Sequence, residues 1–536
     1  MARTLLLGLD GATFTVLDPL MERGVMPFLR DLVAGGVRAP LRSIIPPLTP
    51  PAWTSVMTGK RPGQHGVFDF FQRETPESEY YHFASSQDVH SETIWSIASE
   101  HGQKIVSLNF PLMFPPPPVN GYIVPGGWMP WRQLRLGCYP PGLFDRLKAL
   151  PSFNPRELAL DMTLEAKAIE GCAAEEYADW IRLHTRREER WSEILRHLMT
   201  DDDIDLVGVV FDGADKLQHL CWRFLDPELR PSEPTAWEQE IIDLCEQYFR
   251  GLDAMLADLV ALGGEEATVV VVSDHGFGPS SHVFYLNAWL EQQGFLAWKD
   301  SPVEETEEEA PRIGFAQMTR HVYELDWDRT VAYAATPTSM GINIVDRAPG
   351  AAASITGERH RQITENLVTA LRTLRHPTTG RPLVTEVHER TDTFAGPYEQ
   401  LAPDLTLTLD AGVAISILRS DTLFREREIA LGNHRWDGIF IASGPGIRTG
   451  ERIDEVSLLD IAPLVLYSQD LPIPTDVAGQ IPEQALRPDQ LERRKPRWIE
   501  PRPLDDHVEQ EMAGVALDSD AEATIMSRLR ALGYVE

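Results

Sequence analysis

The chain has 536 residues, 43% of them hydrophobic, with 49 Lys and Arg against 81 Asp and Glu and a formal charge of −32. Such acidity argues against nucleic-acid polymers and anionic membrane surfaces as partners, since both need a cationic face. Small anionic substrates stay open wherever bound metals reverse the local field.

The length allows a large core, either as two or three domains or as one large domain with insertions. The first apolar run, Leu5 to Leu9, is too short for a signal peptide and ends at Asp10. It reads as a buried parallel strand, residues 4–9, with Asp10 at its carboxyl end. The stretch 46–66 follows. In it Thr49 stands between two proline pairs, which fix its backbone in a turn. A helix over 53–58 is predicted, with Gly59 as its stop. A hydroxyl at a helix start meets backbone N–H groups and the positive dipole end, a suitable place for a group that attacks phosphate. The plainer reading is that Thr49 caps the helix.

Further along, a helix near 92–101 leads into a strand at 104–109. A proline-rich loop over 110–118 and a short strand at 122–124 come next. Helical patterns cover 164–199 and 236–262, each followed by an apolar run: 205–211 ending at Asp212, and 267–273 ending at Asp274. The alternation breaks between Trp289 and Asp410. There an acidic run (303–310), a helix (358–374) and a small β region (384–409) read as inserted material. A strand at 438–442, a core helix at 460–467, a Pro- and charge-rich strap at 487–508 and a terminal helix at 521–532 complete the chain. Alternating strands and helices predict an α/β fold with a doubly wound, mainly parallel sheet, helices on both faces and an inserted α+β subdomain. The expected divisions are a core over 1–288 and 411–481, the insertion over 289–410, and a strap and helix over 482–536. Ligands bind such sheets beyond the carboxyl ends of the strands. Three of those ends carry Asp10, Asp212 and Asp274.

Asp215 and His219 are spaced i, i+4 and share one helix face, as metal ligands often do. Asp212 competes with Asp215 for that role, and spacing leaves the choice open. Asp274-His275-Gly276 is a second cluster at a strand end, where a turn directs both side chains to one site. His434 lies just before the 438–442 strand. Asp10, Asp215, His219, Asp274, His275 and His434 together suit two divalent ions with three protein ligands each, leaving positions for a nucleophile and a substrate oxygen. The mixed set favours Zn²⁺, with Mn²⁺ the alternative. Asn109, Trp128 and the segment Pro337-Thr338-Ser339-Met340 are further candidates for lining the pocket. The four cysteines (Cys138, Cys172, Cys221, Cys245) form no C-x-x-C pair and point to a reduced, cytoplasmic protein. No apolar run reaches membrane-spanning length.

In their order along the chain, these features resemble the alkaline phosphatase superfamily, and most of all its type I phosphodiesterase and nucleotide pyrophosphatase branch. The resemblance runs from about residue 3 to 481. It includes Asp10, Thr49 with Thr58-Gly59, Pro62 to Gly66 (P-x-x-H-G), Asp215 with His219, Asp274 to Gly276, and His434. Ala402-Pro403-Asp404-Leu405, Asp460 to Pro463 and Leu529 to Tyr534 add to it. The resemblance implies an alkaline phosphatase-like hydrolase of small-molecule phosphate esters with Thr49 as nucleophile. It assigns Asp215, His219 and His434 to one metal, and Asp10, Asp274 and His275 to the other. It also favours Asp215 over Asp212. One position departs: where nucleotide pyrophosphatases carry an asparagine that contacts a phosphate oxygen, this chain has Phe70. The related sulfatases need Cys/Ser-x-Pro-x-Arg, and Thr49-Pro50-Pro51-Ala52-Trp53 lacks both the convertible residue and the arginine. Phosphoglycerate mutases use serine. A non-catalytic scaffold on this fold would be marked by a missing ligand, and none is missing.

Overall fold

The computed structural model describes residues 3–73, 81–126, 129, 131–159, 167, 171–299, 322, 324–345 and 357–502. Met1–Glu500 form one compact unit and Pro501–Glu536 a second. All that follows concerns the first.

A nine-stranded sheet organises it, built from β1 (Thr4–Leu9), β2 (Val37–Arg42), β3 (Ile105–Leu108), β4 (Gly121–Val124), β5 (Leu206–Phe211), β6 (Thr268–Val272), β7 (Asp437–Ser443), β8 (Glu451–Arg452) and β9 (Val456–Ser457). The order is β8-β2-β7-β6-β1-β5-β3-β4, with β9 also beside β2. Only β7 runs antiparallel to its neighbours, so the sheet is mainly parallel. The central strands are buried throughout because both faces are covered. Alternate residues feed two apolar layers. Leu5, Leu7, Leu9, Val207, Val209, Val269 and Val271 join the helices Phe14–Glu22, Pro27–Gly35, Tyr177–Asp201, Gly213–Leu225 and Ala236–Gly263. Leu6, Leu206, Val210, Val270 and Val272 join Thr49–Thr58, Ile94–Glu100 and Ile461–Ser468. The expected doubly wound arrangement is therefore present.

Within the irregular stretch, Ala332–Tyr333, Gly341–Ile344, Leu405–Leu409 and Val384–Glu389 form a separate antiparallel sheet, and the helix Gly357–Thr373 packs on it through a third apolar cluster. A three-stranded sheet of Gly412–Ser416, Gly276–Tyr285 and Phe424–Arg435 is absent from the sequence reading. Its strands carry charge and glycine and lack a clean apolar alternation. Among the described residues, the helix expected over 164–199 spans Tyr177–Asp201. The strap holds a short helix, Gln490–Arg493, and a strand, Trp498–Ile499, paired with Ile473–Pro474. The acidic run 303–310, the helix expected at 521–532 and Trp128 lie outside the described residues. Among the described residues, no helix is long and apolar enough to cross a membrane.

Candidate metal and nucleophile site

Three neighbouring strands deliver the carboxylates. Leu9 pairs with Phe211 and Gly8 with Val272, so Asp10, Asp212 and Asp274 leave the sheet together at one edge. Asp212 then turns away. Its carboxylate lies 3.7 Å from Arg187 Nη2 and accepts from Asn109 Nδ2 at 3.4 Å. Asp215, in the first turn of Gly213–Leu225, takes the place that spacing left open between the two.

Two groups of three result: Asp215, His219 and His434, and Asp10, Asp274 and His275. Within each, one ligand atom per residue lies within 4.8 Å of the others. In the first group His219 Nε2 and His434 Nε2 are 3.0 Å apart, and they stand 3.4 and 3.3 Å from Asp215 Oδ1. In the second, His275 Nε2 is 3.2 Å from Asp274 Oδ2 and 3.7 Å from Asp10 Oδ1.

Each histidine commits its other nitrogen to a backbone carbonyl. His219 Nδ1–H donates to Gly432 at 3.2 Å, His434 Nδ1–H to Pro47 at 3.1 Å, and His275 Nδ1–H to Gly276 at 3.2 Å. A carbonyl only accepts, so the tautomer is fixed and every Nε2 presents a lone pair to the site. Facing those lone pairs are Asp10 Oδ1, Asp215 Oδ1 and Asp274 Oδ2, three buried carboxylate oxygens with no hydrogen-bond partner. The other oxygens are fixed: Trp53 Nε1–H donates to Asp10 Oδ2 at 3.1 Å, and the Gly11 amide to Asp274 Oδ1 at 3.1 Å. Unpartnered buried carboxylate oxygens are costly. Here they are aimed at imidazole lone pairs, and each group of three has the donor set of a candidate metal site.

Burial pushes Asp10 and Asp274 well above the usual carboxylate range, and neighbouring carboxylates add to it. Burial keeps His275 and His434 neutral by lowering both.

His434 arrives by strand pairing. In the antiparallel ladder between Phe424–Arg435 and Gly276–Tyr285, Arg435 faces Gly276 and His434 faces Phe277. The His434 and His275 rings then stack, centroids 3.6 Å apart. A Cβ on Gly276 would lie 2.0 Å from the Asp437 carbonyl oxygen, which explains the glycine after Asp-His.

Thr49 is the first residue of the helix Thr49–Thr58, four residues earlier than predicted, and Leu48 is its N-cap. Thr49 is buried and its Oγ1 lies 3.3 Å from His275 Nε2. It does not cap the helix. Nor does it meet several amides: Pro50 and Pro51 have no N–H, and the Ala52 amide is bonded to Leu48. The first turn offers Thr49's own amide and the dipole.

Sequence reading missed the supports. Trp53 anchors Asp10, and His65, from the P-x-x-H-G motif, takes the Val67 amide on Nδ1 at 3.2 Å and meets Ser55 Oγ through Nε2 at 3.1 Å. Among the pocket candidates, Asn109 Nδ2 donates to the Val210 carbonyl and to Asp212. Thr338 donates to Asp69 at 2.7 Å, and Thr336 donates to the same carboxylate. Asp69 also takes the Phe70 amide.

The family model for type I phosphodiesterase / nucleotide pyrophosphatase matches residues 4–437. No curated protein sequence matches the chain. Among solved structures, the phosphonoacetate hydrolase from Sinorhizobium meliloti 1021, in complex with phosphonoformate, is 15% identical with a TM-score of 0.50, over 88% of this chain and 95% of that one. An inactive variant of murine ectonucleotide pyrophosphatase / phosphodiesterase 5 with AMP is 14% identical, TM-score 0.48, over 88% and 96%. The human enzyme of that name is 14% identical, TM-score 0.49, over 90% and 100%. At these identities the likeness is one of fold.

Proposed function

The chain belongs to the type I phosphodiesterase / nucleotide pyrophosphatase family and is a hydrolase acting on phosphate esters, and from that premise we propose that it works with two divalent metals and Thr49 as nucleophile. The observation that carries this reading is the set of three fixed Nε2 lone pairs facing three unpartnered carboxylate oxygens, with Thr49 Oγ1 beside one of them. Asp215, His219 and His434 would hold one ion, and Asp10, Asp274 and His275 the other. Imidazole with carboxylate suits Zn²⁺, and Mn²⁺ takes similar sets. When bound, such ions lower the pKa of a hydroxyl and offset charge on phosphate oxygens.

Thr49 Oγ1 forms a bond to phosphorus as the bond to the leaving alkoxide breaks. The helix dipole favours negative charge at this position. Water then cleaves the phospho-threonine, and two in-line displacements retain configuration at phosphorus. The substrate is a small-molecule phosphate ester, a diester on the family's description. Phe70 supplies no donor where the resemblance expects asparagine, so a monoester is the second reading. Residues 289–410 act as a cap, supported by the grip of Thr336 and Thr338 on Asp69, beside Phe70. The net charge of −32 supports a substrate other than polymeric nucleic acid or a membrane surface. Four free cysteines support a cytoplasmic setting. The test is a screen of phosphomonoesters, phosphodiesters and nucleotides on metal-loaded protein, with mass-spectrometric trapping of phosphate on Thr49. Turnover with no phosphate ever trapped on Thr49, and inversion at phosphorus, would overturn the nucleophile.

A further inference from the structure

The helix Gly213–Leu225 supplies Asp215 and His219, yet its own N-cap residue does not cap it. Asp212 makes no side-chain capping bond and turns to Arg187 and Asn109. The Gly213 amide is taken instead by Glu188 Oε1, at 2.5 Å. The same oxygen accepts the Tyr248 hydroxyl at 3.1 Å. Glu188 is fully buried and belongs to another helix, Tyr177–Asp201. From that helix Trp180 also donates Nε1–H to the Lys216 carbonyl, at 3.2 Å. Trp180, Arg187 and Glu188 recur at i, i+7 and i+8 and so share one helix face. They clasp Asp212, Gly213 and Lys216, the residues on either side of Asp215. A Cβ on Gly213 would fall 2.5 Å from Glu188 Oε1 and 2.7 Å from the Tyr248 hydroxyl, so the close approach needs this glycine.

Such a clasp fixes how the helix is rotated about its axis. A slip of one residue would swing Asp215 by roughly 100° off the face it shares with the site. We infer that Glu188 is a positioning residue for the Asp215–His219–His434 group: through the Gly213 amide it sets the rotation at which those three ligand atoms converge. The inference rests on the two-metal reading above. Glu188 touches none of the three ligands in the described contacts, and it acts through the backbone that carries Asp215.

The test uses the full chain and Co²⁺ or Zn²⁺, with ion stoichiometry, affinity and the Co²⁺ absorption spectrum as readouts beside activity. Wild type should bind two ions. Glu188→Gln keeps an acceptor for the Gly213 amide and should bind both ions as wild type does. Glu188→Ala should weaken one ion by roughly 10- to 100-fold, the usual effect of losing a group that orients a ligand. In a His219→Ala background, which already lacks that ion, Glu188→Ala should change nothing further at the remaining one. Excess metal should restore activity to Glu188→Ala, whereas a merely structural role would lower the melting temperature and leave ion affinity unmoved. Should Glu188→Ala fail to fold, Tyr248→Phe carries the test, since loss of its hydroxyl should weaken the same ion. Wild-type affinity for both ions in Glu188→Ala, or in Tyr248→Phe where Glu188→Ala does not fold, overturns the inference. A wild-type chain that takes up no ion sinks the two-metal reading itself, and the two failures are distinct.

Discussion

His219 and His434 point their Nε2 atoms at each other across 3.0 Å, and neither donates to the other, because both Nδ1–H groups are already given to the Gly432 and Pro47 carbonyls. Two lone pairs so close, with Asp215 Oδ1 beside them, repel one another, and a divalent cation bound among them, as proposed above, would relieve this.

Removal of one ligand should therefore remove one ion. His219→Ala and Asp274→Ala should each bind one divalent ion where wild type binds two, and each should lose most activity. Chelation of wild type should abolish turnover, and Zn²⁺ or Mn²⁺ should restore it. Metal analysis of purified proteins checks this. A full complement in both variants would refute the assignment.

Thr49→Ala should keep both ions and the fold and lose activity by roughly 10³-fold or more, as loss of a nucleophile does. Thr49→Ser retains the hydroxyl and should keep part of the rate. Steady-state kinetics beside metal content decides it. A wild-type rate in Thr49→Ala would make water the direct nucleophile.

Trp53 is fully buried, sits edge-on to Phe110 at 5.5 Å and donates to Asp10 Oδ2. Trp53→Phe keeps an aromatic ring there and removes the donor. The orphaned carboxylate oxygen should cost about 1–3 kcal/mol of stability in metal-free protein. Denaturant unfolding of the apo form measures this. No change in midpoint would show that Asp10 finds another partner.

Asp69 gives a pH signature. Burial pushes its carboxyl from the ordinary 3.8 up to about 6, against hydrogen bonds from Thr336 and Thr338 and from the Phe70 amide. The folded state thus holds the proton where the unfolded state has released it. The resulting stabilisation is complete below about 3.8 and is lost as pH rises through about 6. Asp69→Asn never charges, so its stability relative to wild type should climb between pH 4 and 7 by on the order of 3 kcal/mol, at 1.36 kcal/mol per unit. A difference between the two proteins that stays flat across that range would show that Asp69 titrates normally.

The main sheet was legible because parallel strands covered on both faces leave unbroken apolar runs. Leu5 to Leu9 and Val269 to Val272 are such runs, and each was read as a strand. The sheet that carries His434 was not. The strand Phe424–Arg435 opens with four consecutive charged residues, Arg425 to Glu428, and is largely exposed along its first half, so no apolar period marks it. The helix at Thr49 was read too short for a related reason: prolines usually argue against a helix, but in its first turn the missing N–H groups cost nothing.

The sequence by itself singled out the candidates for the chemistry: Asp10, Thr49, Asp215, His219, Asp274, His275 and His434 all lie at strand ends or on local spacings that the chain order displays. Tertiary structure alone decided how they meet. Spacing left Asp212 and Asp215 level and only the family resemblance favoured Asp215; the engagement of Asp212 by Arg187 and Asn109, from distant segments, is visible in three dimensions alone. The seat of His434 beside His275 depended on the register of a ladder between strands far apart in sequence. The tautomers of His219, His275 and His434 were set by backbone carbonyls, which no side-chain pattern encodes. A sequence states which groups are available, whereas hydrogen-bond satisfaction in a buried site is a property of three-dimensional neighbours.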